Sequence, residues 1–258
     1  MGFLAFDRIQ FSEINQSPST NDNAFEAIEQ NRVPLIWTLN QTKGRGSRGR
    51  SWISPAWASL AMSLGLAGHP TNLAGYPPPP THFPYPIFAG LAVHDALVTL
   101  FPNLGSKLRL KWPNDLVLGD KKLCGILCES RWQGSSKVLI VIGVGINLKQ
   151  HPEMVSIPKP WTSLEQEGIQ VDPAILVHQI AHSFTELSAA TANQICASWE
   201  ALSLWPKGLD LEVTNSGVSL RGRFMGLDES GGLELQLENG QIHTFVHADP
   251  DFSVRTLS

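Results

Sequence analysis

The longest unbroken apolar run in the chain, Val138 to Ile146, covers about nine residues. That is far short of the roughly 20 residues a membrane-spanning helix needs, and it fits a buried strand. The run closes on Gly143-Val144-Gly145-Ile146-Asn147. This glycine pattern lacks the third glycine and the helix of a dinucleotide fold. Glycines at such a place admit a flat group, and Asn147 can hydrogen-bond it; a simple strand-ending turn reads equally well. Around this strand, 258 residues with 42% apolar and only 16% charged side chains hold enough material for one large domain, or a large and a small one. The start, Met1 to Asp7, has no basic region ahead of a long apolar stretch, so no signal peptide is expected. Cys124, Cys128 and Cys196 cannot all pair. A soluble cytoplasmic protein is the expectation.

Charge is unevenly spread. From Gln30 to His94 there is no Asp or Glu, yet Arg32, Lys43, Arg45, Arg48 and Arg50 lie there. Residues 208–258 hold three cations against eight acids, and the net charge is −4. A local cationic segment in a nearly neutral body points to a small anion; a polyanion track wants many more cations.

The pattern predicts a helix starting at Ser19-Thr20-Asn21 and strands over 35–39 and 60–66. A loop is expected over 43–54 and an irregular proline-rich insert over 67–86, with seven prolines. A helix over 87–100 follows, then strands near 108–111, 116–118, 123–132 and 138–146, and helices over 173–188 and 192–202. After Trp205-Pro206-Lys207-Gly208 the texture changes to short strands at 211–213, 218–225, 233–237 and 243–246. Asn-Ser-Gly, Glu-Ser-Gly-Gly and Glu-Asn-Gly turns split them, the rhythm of a small barrel.

Three further segments could carry chemistry. In Lys43-Gly-Arg-Gly-Ser-Arg-Gly-Arg50-Ser-Trp52, glycines let backbone amides approach a ligand and the cations suit phosphate or carboxylate. The Gly-Lys-Ser/Thr ending of a phosphate-binding Walker loop is absent, and a solvated basic loop is the plain alternative. Lys111-Trp112-Pro113-Asn114-Asp115 puts a lysine at a strand end, where it is either an anion contact or an exposed side chain. In Lys122-Leu123-Cys124-Gly125-Ile126-Leu127 the internal glycine marks a close approach. Cys124 and Cys128 lack metal-knuckle spacing and read as structural thiols, and the pairs His178/His182 and His243/His247 read as ordinary histidines.

In order, Ser19-Thr20-Asn21, Gly44-Arg-Gly-x-Arg-Gly-Arg-x-Trp52, Lys111-Trp-Pro-Asn-Asp115, Lys122-Leu-x-Gly-Ile-Leu127 and Gly143-x-Gly-Ile-Asn147 resemble the biotin–protein ligase family. The resemblance implies an α+β fold: a mixed-sheet catalytic domain over 1–207, then an SH3-like β-barrel over 208–258. It implies activation of biotin by ATP and Mg2+ to biotinyl-5′-AMP, then transfer to a lysine of a biotin carboxyl carrier protein. Fixed cations bridging the carboxylate and the α-phosphate lower the barrier most, and Lys111, Arg45 and Arg48 match the family there. Ser19, Thr20, Asn21, Gln41, Gly44, Arg45, Gly46, Ser47, Lys111 and Gly125 are implied for biotin. Arg48, Arg50, Trp52, Lys111, Asn114 and Asn147 are implied for ATP or the adenylate, and no protein-held metal is implied. Only about 18 residues precede the first motif, so no DNA-binding helix-turn-helix and no repressor activity are expected. The resemblance implies no membrane partner and either a monomer or a homodimer. Loop 43–54 is expected to cover the adenylate only when ligand is bound.

The chain departs from the family pattern in places. Ser47 stands where many members carry arginine: either Arg48 substitutes with a shifted geometry, or the loop has one contact fewer to the adenylate, and the second case implies faster escape of the intermediate and stray lysine biotinylation. Pro18 replaces a frequent aspartate, and the insert at 67–86 is longer than expected. Two other readings stay open: a lipoate–protein ligase using the same chemistry, and an RNA-binding module built on the arginine loop with Trp52 and Trp57. A catalytically silent relative on the same fold is a further alternative.

Overall fold

The computed structural model describes residues 4–28, 33–68, 83–133, 137–156 and 160–257. Most of the proline-rich insert lies outside them. The elements run β1 (Ile9–Glu13), α1 (Thr20–Ile28), β2 (Val33–Thr38), β3 (Ser59–Gly68), α2 (Tyr85–Leu100), β4 (Leu108–Lys111), β5 (Asp115–Leu118), β6 (Lys121–Gln133) and β7 (Lys137–Asn147). Then come α3 (Pro173–Leu187), α4 (Ala192–Ala201), β8 (Asp210–Asn215), β9 (Val218–Leu227), β10 (Leu233–Leu237), β11 (Ile242–Phe245) and β12 (Ser253–Thr256). The sequence pattern had not shown β1 and β12. β1 exposes most of its residues and β12 holds no fully buried one, so neither carries a clear alternation.

Seven strands form one mixed sheet in the order β1-β2-β3-β7-β6-β5-β4, with β1 and β2 parallel and the other neighbours antiparallel. β7 lies at its centre, and its two faces do different things because side chains alternate along a strand. Val138, Ile140, Ile142, Val144 and Ile146 enter the main core with α2, whose residues Ile87 to Val93 are all buried. On the other face, Leu139 and Val141 pack under Ala24, Phe25 and Ile28 of α1. Beyond α1 that face continues as Gly143, Gly145 and Asn147, so the apolar support gives way to an open floor.

Residues from β8 onward form a second, antiparallel sheet in the order β11-β10-β9-β8-β12. Its inner residues Leu211, Val213, Phe224, Leu233 and Leu235 belong to the same core cluster as the larger sheet. Polar ties reinforce the seam. Trp112 Nε1 donates to Gly231 O at 2.8 Å, and Leu227 N donates to Glu200 Oε1 at 2.6 Å.

Candidate active site

A cavity of about 430 Å³ opens on the glycine face of the large sheet. Its floor follows from strand register: Ala61, Gly145 and Gly125 lie side by side across β3, β7 and β6, and Asp115 of β5 and Lys111 of β4 extend the same row. The Trp52 ring lies directly on this floor. A methyl group on Gly145 would come within 2.6 Å of Trp52 Cε2, and one on Gly125 within 2.9 Å of Trp52 Cζ3. The indole Nε1 is buried and has no hydrogen-bond partner among the described residues.

One wall is neutral and polar. Thr20 and Asn21 sit at the start of α1, and their side chains face β3. The buried Ser63 hydroxyl donates to Asn21 Oδ1 at 2.6 Å and touches Thr20 Oγ1 at 2.7 Å. Gln41 Oε1 accepts from Thr20 N at 2.9 Å. Asn21 also rests on Gly143, where any side chain would collide with it. Ser19 joins this wall. The group offers acceptors and donors without net charge.

The rest of the lining carries cations. Arg45, Gly46, Ser47 and Arg50 come from the glycine-rich loop. Arg45 is held by Asp22 (2.7 Å) and Glu129 (3.0 Å), and Arg131 reaches the same Asp22 at 2.8 Å. The Arg45 guanidinium lowers the Asp22 carboxyl below the usual carboxylate range. Lys122 Nζ lies 5.3 Å from the centre of the Trp52 ring and 2.5 Å from Asp115 Oδ1. The Lys122 backbone is fixed: its N donates to Pro160 O, and its O accepts from Thr162 N and Asn147 Nδ2. Asn147 Nδ2 also donates to Thr162 O at 3.0 Å. With both donors spent, Asn147 has its carbonyl oxygen to offer a base. Asn114 lines the cavity too, and its Nδ2 donates to Ile126 O at 2.6 Å.

Three expected residues stand apart from the lining. Lys111 ends the edge strand β4, on the same face of the sheet as Gly125 but with its backbone two strands away, about 10 Å at ordinary strand spacing. Arg48 turns away toward Phe252. Gly44 lies behind the wall, where it lets the loop fold on itself: Trp52 N donates to its O at 2.9 Å, and a Cβ would clash with Trp52 O. Sequence reading had missed Lys122 as a charge in the site, although its motif was in view, because only packing sets its side chain beside Gly125 and the Trp52 ring. Trp161, Ser63 and Glu129 were also missed, since only packing brings them there. Cys124 is buried, and burial pushes its thiol up, as fits a structural residue.

A profile for the biotin/lipoate A/B protein ligase family matches residues 12–147. The chain belongs to this family. Among curated ligase family members, the biotin–[acetyl-CoA-carboxylase] ligase of Paracoccus denitrificans is 31% identical over 231 residues, covering 86% of this chain and 92% of that protein. The bifunctional ligase/repressor BirA of Escherichia coli is 29% identical over 204 residues, covering 76% of this chain but only 59% of BirA. The solved biotin protein ligase from Aquifex aeolicus in complex with biotin and ATP has a TM-score of 0.70 at 24% identity, covering 97% of this chain and 99% of that one. The ligase fold is therefore shared over both sheets.

Proposed function

We propose that the chain activates biotin with ATP to biotinyl-5′-AMP and passes it to a lysine of a biotin carboxyl carrier protein. One observation carries this reading: a single cavity joins a neutral hydrogen-bonding wall to Lys122, Arg45 and Arg50. In the first step a carboxylate oxygen of biotin attacks the α-phosphorus. A mixed anhydride forms, the bond to the β-phosphate oxygen breaks, and pyrophosphate leaves. Two anions must meet, and Lys122 and the loop arginines offset that repulsion where it is greatest. In the second step the carrier's amine attacks the acyl carbon, loses a proton, and AMP departs. The enzyme's contribution there is positioning and exclusion of water.

The neutral wall supports biotin over lipoate. A ureido ring offers donors and an acceptor to Ser19, Thr20 and Gln41, whereas an apolar dithiolane offers them none. Trp52 covers the floor and Asn147 accepts from the base. Residues 1–207 act as the catalytic unit and 208–258 as the accessory one. Mg2+ would accompany ATP and neutralise phosphate charge; magnesium is usually held by substrate phosphates and water with few protein ligands. No helix among the described residues is long and apolar enough to cross a membrane.

The test is pyrophosphate release from ATP with biotin, lipoate or neither. Biotin alone should support release. Lys111→Ala and Lys122→Ala should each lower it on the order of a hundredfold. Release driven by lipoate would move the chain to the lipoate side of its family. No release with either acid would overturn the proposal.

A further inference from the structure

Of the three arginines in the loop, Arg48 is the one outside the cavity lining, and what it does instead is well defined. Its Nη1 donates to Phe252 O at 3.4 Å, and its guanidinium carbon stands 5.1 Å from the centre of the Phe252 ring. Its backbone takes φ 65°, a left-handed conformation that an arginine adopts only when surrounding contacts hold it. The receiving segment is itself rigidly built. Asp251 accepts from Ser216 N (3.0 Å) and Gly217 N (2.6 Å) at the β8–β9 turn, Asp249 N donates to Asn215 Oδ1, and Phe252 N donates to Asp249 O. The Phe252 ring packs 5.0 Å from Trp112, whose Nε1 is bound to Gly231 O. Burial, and then the neighbouring Arg50, lower the Arg48 guanidinium from its ordinary value, and Asp115, Asp249 and Asp251 pull the other way.

We infer that Arg48 is a positioning residue: it fastens the glycine-rich loop to segment 249–252, so that the second sheet sets how readily the loop opens. The loop carries Arg45, Arg50 and Trp52 into the cavity, so slack at Arg48 reaches all three. Only the adenylate readout below rests on the proposed function; the loop readout does not.

The experiment measures hydrogen exchange of the amides in residues 43–54 of the full chain without ligand. Two variants are used singly and together. Arg48→Asn keeps a residue that tolerates the left-handed backbone while removing the guanidinium, and Phe252→Leu keeps apolar bulk while removing the ring. Each single variant should speed exchange at Gly46 and Trp52 by about tenfold, the size of a partly desolvated cation–π contact. The double variant should show no more than either alone. With biotin and ATP added, both should release biotinyl-adenylate about tenfold faster. Unchanged loop exchange, or effects that multiply in the double variant, would overturn the proposal. A purely structural Phe252 would lower the melting temperature without moving the loop amides, which counts equally against it. If the wild type forms no adenylate, the functional reading fails while the exchange result still decides the role of Arg48.

Discussion

Gly145 and Ser47 carry opposite lessons about single residues. Gly145 has no side chain because the Trp52 ring needs that space, and an alanine methyl would meet Trp52 Cε2 at 2.6 Å. Gly145→Ala should raise KM for biotin at least about tenfold while shifting Tm by only a few degrees, since the ring moves and the strand does not. Steady-state kinetics beside a thermal melt checks this. Ser47 faces the cavity but is short, and its Oγ accepts only a 3.4 Å bond from Arg50 Nη2. Ser47→Arg adds a charge-assisted donor and should slow escape of the adenylate by about tenfold. Dilution of preformed enzyme–adenylate into a trap measures that rate. Little of this was legible beforehand: the glycines and Ser47 stood in recognisable motifs, but their partner Trp52 was placed on the floor only by the fold.

At the level of elements, α2 is the hub on which the large sheet, α3 and α4 pack, and it carries one titratable group inside. His94 is buried, with Nε2 lacking a hydrogen-bond partner among the described residues. Burial holds its pKa below the ordinary 6.5, so it is neutral in the folded protein. The unfolded chain binds this proton more readily. The stability from keeping His94 neutral is therefore fully present above pH 6.5 and is lost as pH falls below it. Wild type should lose stability on acidification from pH 7 to 5.5, by at most about 1.4 kcal/mol per pH unit from this group. His94→Leu should flatten the slope in melts taken across that range. The helix itself was legible from apolar spacing. That its histidine faces β4 and not solvent was not, because a helix buried nearly all round gives no polar face to read against.

For the whole molecule, the question is what makes two sheets one body. Glu200 at the end of α4 binds Leu227 N at 2.6 Å through Oε1 and Lys207 Nζ at 2.6 Å through Oε2, with only 12% of its side chain exposed. Glu200→Ala leaves the Leu227 amide unpaired at a cost of about 1–3 kcal/mol. For a chain of this size that lowers Tm by roughly 3–10 °C. Glu200→Gln keeps an acceptor and should recover most of the loss. Calorimetry of the three proteins checks the order. The same seam holds Phe252 against Arg48, so loosening it should also reach the loop.

Much of this protein was written in local order. The unbroken apolar run of β7, the capped start of α1, the glycine-rich cationic loop and the turn-separated strands after Lys207 are read from neighbours in the chain, because strands, caps and turns are set by nearby residues. The five motifs also carried the family. Tertiary structure alone placed Lys122 in the cavity lining: packing sets it beside Gly125 and within 5.3 Å of the Trp52 ring centre, while Lys111 stands two strands away in the same row. It also decided that Arg48 leaves the site for Phe252, about 200 residues away. Contacts across such separations depend on how whole sheets pack, and no local pattern of residues encodes that.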